Sequence, residues 1–248
     1  MNHLFRRDGG GAAFIGVLVA AWGCSDEETG LFIQGNVRVE APQCVARAES
    51  DTTLLGGGTL DVALRQDYDA SLLVGSQLTP RGDKPNLRTE TMIVTITGAE
   101  VHLFDDVGSV VENGAFTVPA SGTIGPEGSA EPGFGIINVT LIPPAVGTAL
   151  RGELTSRLDI RTRIAQVRVF GETLGGLEVE SADITYVIRV CQGCLVSFPA
   201  NALGSTFECS VPTEQNIAAP CRFGQDDAVD CRLCQASNLY CRIPGEVQ

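Results

Sequence analysis

Cysteines are the residues of this chain whose number and spacing bear most directly on its chemistry. Cys24 lies near the start, and seven of the nine cysteines lie in the last 58 residues. An even number in an exported protein predicts a framework of disulfide bonds. A loop-rich segment with a small apolar core needs such bonds. The eight candidates after Cys24 are Cys44, Cys191, Cys194, Cys209, Cys221, Cys231, Cys234 and Cys241.

The odd number of cysteines in the C-terminal segment restricts how they pair. Seven cannot all bond one another, so if all eight bond within the chain, Cys44 must bond one of the seven. Cys44 follows the first predicted strand, and Cys191 and Cys194 follow the last. We therefore expect Cys44 to bond one of these two, and the other pairings stay open.

Two Cys-x₂-Cys pairs allow two alternatives to a framework of disulfide bonds. The first is a zinc site, because each pair has the spacing of a zinc knuckle. Its ligands would be Cys191, Cys194, Cys231 and Cys234. The 36 residues between the pairs exceed the usual gap, and such sites belong mostly to reducing compartments. The second is redox chemistry at one pair. A redox pair usually starts a helix in a βαβ unit, whereas Cys191 ends a predicted strand. Disulfides remain the preferred prediction.

Composition excludes several other catalytic sites. His102 is the single histidine after the first few residues, so sites that need two, such as HExxH, are excluded. We predict His102 on the solvent side of a strand, because Val101 and Leu103 face the other way. The chain has no GxSxG, no phosphate loop and no dinucleotide fingerprint. No cofactor is therefore expected.

Paired carboxylates are the remaining catalytic alternative. Asp67 with Asp69, and Asp105 with Asp106, have the residue types that glycosidases use as acid and base. Both pairs lie in turn-like sequence, where aspartate is common for conformational reasons. A carboxylate hydrolase is thus the alternative to a non-enzymatic protein. The stretch GQDDAVD at 224–230 lacks the ligand pattern of an EF-hand and is predicted to be an exposed acidic turn.

The first thirty residues predict export. Arg6 and Arg7 precede an uncharged run, Ala12–Ala21, which is shorter than the roughly 20 residues that span a bilayer. Gly23 and Cys24 follow, and then an acidic stretch. A positive start, a short apolar core and a small residue before the cut are typical of a secretory signal.

Residues 1–24 resemble the signal of a bacterial lipoprotein precursor. In that family the cysteine after a small residue receives a diacylglyceryl thioether and becomes the first mature residue, which implies lipidation at Cys24. Two or three acyl chains, such as palmitate, hold these proteins durably on the membrane. Ser25 after the cysteine implies, by the same resemblance, an outer-membrane lipoprotein that faces the periplasm or the cell surface.

Charge narrows the expected partners. The whole chain has a net charge of −13, and removal of Arg6, Arg7 and Asp8 with the signal leaves 15 basic and 29 acidic residues. Binding to nucleic-acid phosphates needs clustered positive charge, so no nucleic acid is expected. The expected partners are the membrane, through the anchor, and another envelope protein.

The predicted elements are mostly strands, because apolar and polar residues alternate with a period of two between Gly, Pro, Asn and Asp. No strand alternates with a long helical pattern, so the predicted fold is an all-β, antiparallel β-sandwich with Greek-key-like connections. A small closed barrel is the alternative. One short helix is predicted within 143–154. The predicted strands lie near 31–39, 59–66, 69–76, 89–97, 99–105, 114–118, 134–142, 157–170 and 177–190.

The last two predicted strands form a long, bent hairpin over residues 157–190. The apolar phase slips at Ile164–Ala165, which predicts a β-bulge, and slips again between Val179 and Ile184. The outer face of this hairpin is predicted to carry a stripe of four arginines. We expect cross-strand pairs of Arg168 with Glu178 and of Arg163 with Asp183, and an anion or partner site is the alternative. The stripe consists of Arg157, Arg161, Arg163 and Arg168.

These observations divide the chain into four parts. Residues 1–24 are the signal, 25–30 a short linker, 31–190 a β-sandwich domain and 191–248 a small cysteine-rich, loop-rich tail held by disulfides. The predicted function is a lipid-anchored cell-envelope protein with a non-enzymatic structural or partner-binding role. A carboxylate hydrolase and a zinc or redox role of the tail are the alternatives.

Overall fold

The computed structural model describes residues 30–80, 90–126, 132–199, 209, 217–234 and 239–241. Within these residues the chain is mostly strands with one α-helix. Two single-turn 3₁₀ helices, Cys231–Leu233 and Leu239–Cys241, lie in the C-terminal segment. The strands and the helix are β1 (Leu31–Val37), β2 (Leu54–Leu55), β3 (Gly58–Asp61), β4 (Tyr68–Ser76), β5 (Val94–Phe104), β6 (Val110–Ile124), β7 (Gly133–Ile142), α1 (Pro144–Glu153), β8 (Ile160–Thr173), β9 (Glu178–Glu180), β10 (Ile184–Cys191), β11 (Val196–Ser197) and β12 (Val229–Asp230).

Two sheets form a β-sandwich, as the sequence predicts. The smaller sheet has the order β2-β1-β4-β7, and all of its neighbours are antiparallel. The larger sheet has the order β3-β10-β8-β5-β6, and β9 also pairs with β8. β3 joins β10 in parallel, whereas the other neighbours of this sheet are antiparallel. β11 and β12 form a short parallel pair in the C-terminal segment.

The chain crosses repeatedly between the two sheets, as in Greek-key sandwiches. It passes from β2 to β3, back to β4, across to β5 and, after the β5–β6 hairpin, back again to β7. An isolated bridge between Leu31 and Ser181 brings the two sheets close at one edge, and β6 lies close to β7 at the other edge. No ladder continues this bridge within the described residues, so the fold is a sandwich rather than a closed barrel.

One hydrophobic cluster joins the two sheets. Leu72 of the smaller sheet and Val101 and Val167 of the larger sheet are all fully buried within it. Full burial of each such side chain stabilises the fold by about 1.5–3 kcal/mol. Helix α1 adds Val146 and Leu150 to the same cluster, and the helix occupies nearly the span predicted for it.

The long hairpin differs from its prediction. β8 pairs with β10 without any register shift, so the predicted bulge at Ile164–Ala165 is wrong. Apolar Ile160 is 52% exposed, and Arg163 occupies the buried phase. The second predicted slip does occur, because Ser181 interrupts the hairpin between β9 and β10.

The strands 89–97 and 99–105 were predicted separately but form the single strand β5. Its register shifts between Ile96 and Gly98 against both β6 and β8. Such a bulge leaves one extra residue without breaking the strand. The strand predicted at 114–118 is the middle of the much longer β6.

The sandwich has two distinct ends. Leu31 bridges Ser181 in parallel, so β1 and β10 run in the same direction, and β3 runs parallel to β10. We call the end where β1 begins the start end, and the end where β3 and β10 finish, at Asp61 and Cys191, the tail end. The described part of the cysteine-rich segment packs on the tail end, where Asp61 N–H donates to the carbonyl of Gly224. Among the described residues no helix is long and apolar enough to span a membrane.

Candidate functional site

One buried and one partly buried carboxylate lie at the tail end, one on each side of the contact between β3 and the cysteine-rich segment. Asp61 ends β3 and is fully buried. Asp226 comes from the C-terminal segment, and its backbone N–H donates to the carbonyl of Thr59 in β3. Buried carboxylates are uncommon unless they are hydrogen-bonded or paired, so each marks a place where the fold has a specific polar arrangement.

Asp61 accepts three backbone hydrogen bonds. Its Oδ1 accepts from the N–H groups of Ala63, at 3.1 Å, and of Gly193, at 2.6 Å, and its Oδ2 accepts from Leu195 N–H at 3.0 Å. Burial raises the pKa of this carboxyl above its ordinary value, and the three N–H donors and the charge of Arg157 oppose that rise. Asp61 thereby fastens the turn after β10 to the end of β3.

That turn contains a disulfide between Cys191 and Cys194, with Cα atoms 5.9 Å apart. Cys191 is the last residue of β10 and is 1% exposed, whereas Cys194 is exposed. Gly193 makes the turn possible, because its φ of +85° is disfavoured for residues with a Cβ. An added Cβ there would also lie 2.6 Å from Cδ1 of Tyr240.

Arg157 covers the other side of the same turn. Its guanidinium lies 5.5 Å from the ring centre of Phe198 and 5.7 Å from that of Tyr240. It donates to the carbonyl oxygens of Gly193 and Tyr240. The disulfide turn therefore lies between an acidic group beneath it, Asp61, and a basic group beside it.

The second carboxylate, Asp226, belongs to a network of buried hydroxyl and amide groups. The Tyr68 hydroxyl donates to the Asp226 carboxylate, about 3 Å from both oxygens, and lies 3.0 Å from the Tyr186 hydroxyl. Asn36 Nδ2 donates to both tyrosine oxygens. Thr59 N–H donates to Asp226 Oδ1 at 2.9 Å. The prediction of an exposed acidic turn at 224–230 is therefore wrong for Asp226, which is partly buried.

Burial sets the ionisation of this network. It raises the pKa of the Asp226 carboxyl, and the donors from Thr59, Gln225 and Tyr68 oppose the rise. Burial and the nearby Asp226 charge raise the pKa of the Tyr68 hydroxyl far above its ordinary value, so Tyr68 stays neutral and donates. The arrangement binds strands β1, β3, β4 and β10 to the C-terminal segment. A connected network of this kind stabilises the contact between the sandwich and that segment.

The predicted carboxylate pairs do not form an acid–base pair. Arg65 forms ion pairs with both Asp67 and Asp69, so one guanidinium is shared between the two carboxylates. Asp69 also accepts from the Thr140 hydroxyl at 2.7 Å. Asp105 accepts from two backbone N–H groups and shapes the turn of the β5–β6 hairpin.

The eight cysteines after Cys24 form four pairs at bonding distance. Cys44 does bond the tail, but its partner is Cys221, with Cα atoms 5.2 Å apart, and not Cys191 or Cys194. The order of the cysteines along the sequence does not give the distances between them in the fold, so it could not identify Cys221 as the partner of Cys44. The remaining pairs are Cys209–Cys231 and Cys234–Cys241.

The four-cysteine zinc site is not formed. Cys191 bonds Cys194, while Cys231 and Cys234 bond other partners. Two groups place three metal-binding atoms within 4.8 Å of one another, and both contain a disulfide whose sulfurs are not thiolates. The first group is Asp61, Cys191 and Cys194, and the second is Cys209, Asp230 and Cys231.

The four arginines of the predicted stripe do not share one face. Because β8 has no bulge, Arg163 points to the buried side and lies 3.7 Å from Glu153, while Arg168 points to the opposite side. Arg168 pairs with Glu180 and Glu100 rather than with Glu178, and the expected pair of Arg163 with Asp183 is wrong because Asp183 lies 3.9 Å from Arg168. Arg161 is exposed, and Arg157 lies on the disulfide turn.

His102 lies on the solvent side of β5, as predicted, with Val101 and Leu103 fully buried beside it. Its Nε2 is 3.0 Å from Glu100. Neither residue touches a described serine or cysteine, so no triad forms around this histidine within the described residues. Cys24 and Ser25 lie outside the described residues.

A cleft of about 360 Å³ lies at the tail end in the loop after β1. Its walls mix charges of both signs, and it opens widely to solvent. Arg38 at its edge pairs with Asp227 of the C-terminal segment at 2.9 Å. Residues lining the cleft include Arg38, Glu40, Gln43, Arg47, Glu49 and Asp51.

Comparisons with known proteins add little to this geometry. No protein-family model matches the chain, and no curated protein matches it. A solution structure described as a late embryogenesis abundant protein resembles part of it, at 10% identity and a TM-score of 0.31. The similarity covers 54% of this chain and 71% of that one. A likeness of this size supports no conclusion about function.

Sequence reasoning missed the roles of Asp61 and Asp226. In the predicted strand near 59–66, Leu60 and Val62 alternate with Asp61, and this pattern contains no sign that a later segment covers the aspartate. The strand ends at Asp61, and the turn that buries it follows about 130 residues later. One feature of the sequence could have indicated such a carboxylate, namely the Cys-x-Gly-Cys turn at the end of a predicted strand. Backbone N–H groups in such a turn have no strand partner, so they need an acceptor from elsewhere in the chain.

Proposed function

We propose that this protein is an exported lipoprotein of the bacterial outer membrane, in which a β-sandwich anchored through Cys24 presents its tail end to another envelope protein. The role is structural or partner-binding rather than enzymatic. The observation that carries the proposal is the pairing of the cysteines. The eight cysteines of the described residues are bonded to one another in four pairs, and Cys24 is the ninth cysteine of the sequence.

Disulfides support export because they form and persist in oxidising compartments. The Cys44–Cys221 bond joins residues 177 positions apart, so it depends on the finished fold rather than on local chain geometry. A ninth cysteine next to a secretory signal is then the natural site of lipid attachment, as its resemblance to lipoprotein precursors implies.

The position of β1 supports an orientation on the membrane. Gly30 lies six positions after Cys24, and an extended chain over that distance spans about 20 Å. The start end of the sandwich would therefore lie close to the bilayer. The β8–β9 turn lies at this end, because β9 leads into Ser181, and its Leu174 and Leu177 are 56% and 39% exposed.

The tail end then points away from the membrane, towards the partner. β1 is seven residues long, which separates the two ends by about 23 Å. Four disulfides and the Tyr68–Asp226 network hold the tail end rigid. Rigid surfaces bind with less loss of conformational entropy, so such an end is suited to recognition. Phe223 presents a partly exposed ring there, in the turn after Cys221.

The anchor is tested by expressing the full-length chain in a Gram-negative host that is fed a labelled fatty acid. We expect the wild-type protein to carry the label and to sediment with the outer membrane. Cys24→Ser should lose the label and become soluble, while the matched variant Cys194→Ser should keep it. A wild-type protein that is soluble, unlabelled and begins at another residue would contradict the proposal.

The orientation and the partner are tested by site-specific photocrosslinking in the intact envelope. A crosslinking residue at Leu174 should label lipid, and one at Phe223 should label a protein. The two sites control for each other, since both are exposed apolar positions at opposite ends. Reversal of the two results, or the absence of a protein adduct at Phe223, would contradict the proposed presentation of the tail end.

A further inference from the structure

We propose that the Cys191–Cys194 pair is a thiol–disulfide exchange site that oxidises a dithiol, with Cys194 as the sulfur attacked from solvent and Asp61 as the proton acceptor and donor for Cys191. This activity goes beyond the proposed anchoring and binding role. It rests on three groups of one turn: an exposed sulfur, a buried sulfur and a buried carboxylate. Arg157 donates to the Gly193 carbonyl of the same turn.

The two sulfurs differ in access. Cys194 is exposed, whereas Cys191 is 1% exposed and lies in β10 between β3 and β8. Its Sγ lies 3.6 Å from the carbonyl of Leu60. An incoming thiolate therefore reaches Cys194 Sγ alone, which fixes Cys191 as the leaving group.

The charges around the turn match this order of events. Arg157 donates to the carbonyl of Gly193, next to Cys194, and a guanidinium beside a cysteine favours the thiolate. It also attracts the incoming thiolate. Asp61 is on the buried side, with a carboxylate oxygen within 4.8 Å of both sulfurs. Before the exchange, burial favours the protonated form of the Asp61 carboxyl. Once its proton has moved to Cys191 Sγ, the negative charge of Asp61 and the burial keep that thiol protonated.

Opening this disulfide leaves the fold intact. The two cysteines are 3 positions apart, against 177, 22 and 7 for the other pairs, so this bond restrains the least chain. Cys191 stays in register opposite Asp61 and Ile160 through backbone pairing. Asp61 still holds Gly193 N–H and Leu195 N–H. The reduced sulfurs thus remain neighbours and can close again.

The residue next to Cys191 carries a buried polar group that the turn does not satisfy. Gln192 is 6% exposed, and its Oε1 has no hydrogen-bond partner among the described residues. A buried acceptor without a donor destabilises a fold, and natural proteins keep few of them. The oxidised turn therefore carries a polar group that it does not satisfy.

The exchange proceeds in two nucleophilic attacks. One thiolate of a dithiol attacks Cys194 Sγ, forming a mixed disulfide and breaking the bond to Cys191. The electron pair goes to Cys191 Sγ, which takes a proton from the Asp61 carboxyl, directly or through one water. The second thiolate of the dithiol attacks the mixed disulfide and releases Cys194 as a thiolate. The dithiol leaves as a cyclic disulfide, having given two electrons to the pair.

The first experiment measures which disulfide exchanges. The oxidised mature protein is treated with graded dithiothreitol at pH 7 and quenched with an alkylating reagent, and the labelled cysteines are identified by mass spectrometry. We expect Cys191 and Cys194 to be labelled at least about tenfold faster than any other pair, with a transient adduct on Cys194. Faster opening of another pair, or an adduct on Cys191, would overturn the proposal.

The second experiment tests Asp61. In the reduced protein, oxidation by glutathione disulfide forms a mixed disulfide at Cys194, and Cys191 must lose its proton to displace glutathione. Asp61→Asn should slow this displacement by about 100-fold, whereas Asp159→Asn, an exposed control, should not. The groups facing Asp61 are Arg157, Cys191 and Cys194, with Tyr240 against Arg157.

The pH profile separates a proton-transfer role from a structural one. The rate at which Cys191 displaces glutathione in the wild-type protein should fall at acidic pH, where the Asp61 carboxylate becomes protonated. Asp61→Asn should not show this fall. If Asp61→Asn does not fold, Arg157→Gln serves instead, and it should slow the attack on Cys194 about tenfold at pH 7. Identical pH profiles for wild type and Asp61→Asn, or an unchanged rate in Arg157→Gln, would overturn the assignment. Neither result would bear on lipidation at Cys24.

Discussion

The Cys44–Cys221 disulfide should be the largest single stabilising element that can be removed without changing the core. It joins residues 177 positions apart, so the chain-entropy relation gives about 5 kcal/mol of stabilisation. Cys44 has a φ of 54°, in a region that costs residues with a Cβ about 1–2 kcal/mol. Relaxation of that strain in the variant lowers the expected loss to about 3–4 kcal/mol.

The variant Cys44→Ser with Cys221→Ser is compared with wild type by urea unfolding and calorimetry. A loss of this size corresponds to a fall in Tm of about 10 °C for a chain of this length. The matched control is Cys191→Ser with Cys194→Ser, whose loop is so short that the same relation gives about 2 kcal/mol. A loss below about 1 kcal/mol for the long loop, or a larger loss for the short one, would refute the reasoning.

Three further perturbations test other parts of the structure. Tyr68→Phe removes the hydroxyl that joins Asp226, Tyr186 and Asn36, so we expect a loss of about 1–3 kcal/mol in urea unfolding; an unchanged stability would show that the network is not formed. Gly147→Ala in α1 drives a Cβ into the Gln66 carbonyl and should destabilise strongly, whereas Gly152→Ala in the same helix meets open space and should be neutral or stabilise by about 0.5–1 kcal/mol; equal effects would place the helix elsewhere. Burial raises the pKa of Asp226 in the folded state, so its contribution to stability is greatest below the unfolded pKa, about 3.9, and is lost as pH rises through the raised value. The stability of wild type relative to Asp226→Asn should therefore fall as pH rises above about 4. The pKa of Asp159 is lowered by hydrogen bonds from Thr155 and Ser156, so Asp159→Asn should show the opposite trend.

The sequence predicted the elements where one face of a strand is buried. In β7, Ile137, Val139 and Leu141 are buried and Asn138 is exposed, as the alternation indicated. The same rule failed just before β8, where Leu158 lies in a turn and is 91% exposed although the predicted strand included it. Nothing in the local pattern distinguishes an apolar residue at a loose strand end from one in the core.

The candidate site was less predictable, because it is built from segments far apart in sequence. Parity alone required that Cys44 bond a cysteine of the tail, but only three-dimensional positions select Cys221. Asp61 and Asp226 are buried by contacts across about 130 and 160 residues, to Gly193 and to Tyr68. A period-two pattern carries information about faces of one strand and none about a later segment that covers its end.

The measurement that tests the account most directly is the intact mass of the mature protein purified from its own envelope, with free thiols alkylated before unfolding. We predict a chain that begins at Cys24 and carries acyl mass on that residue. We also predict that no thiol is alkylated outside the Cys191–Cys194 pair. A chain that retains residues 1–23, that lacks acyl mass, or that is alkylated at Cys44 or Cys221 would contradict the account.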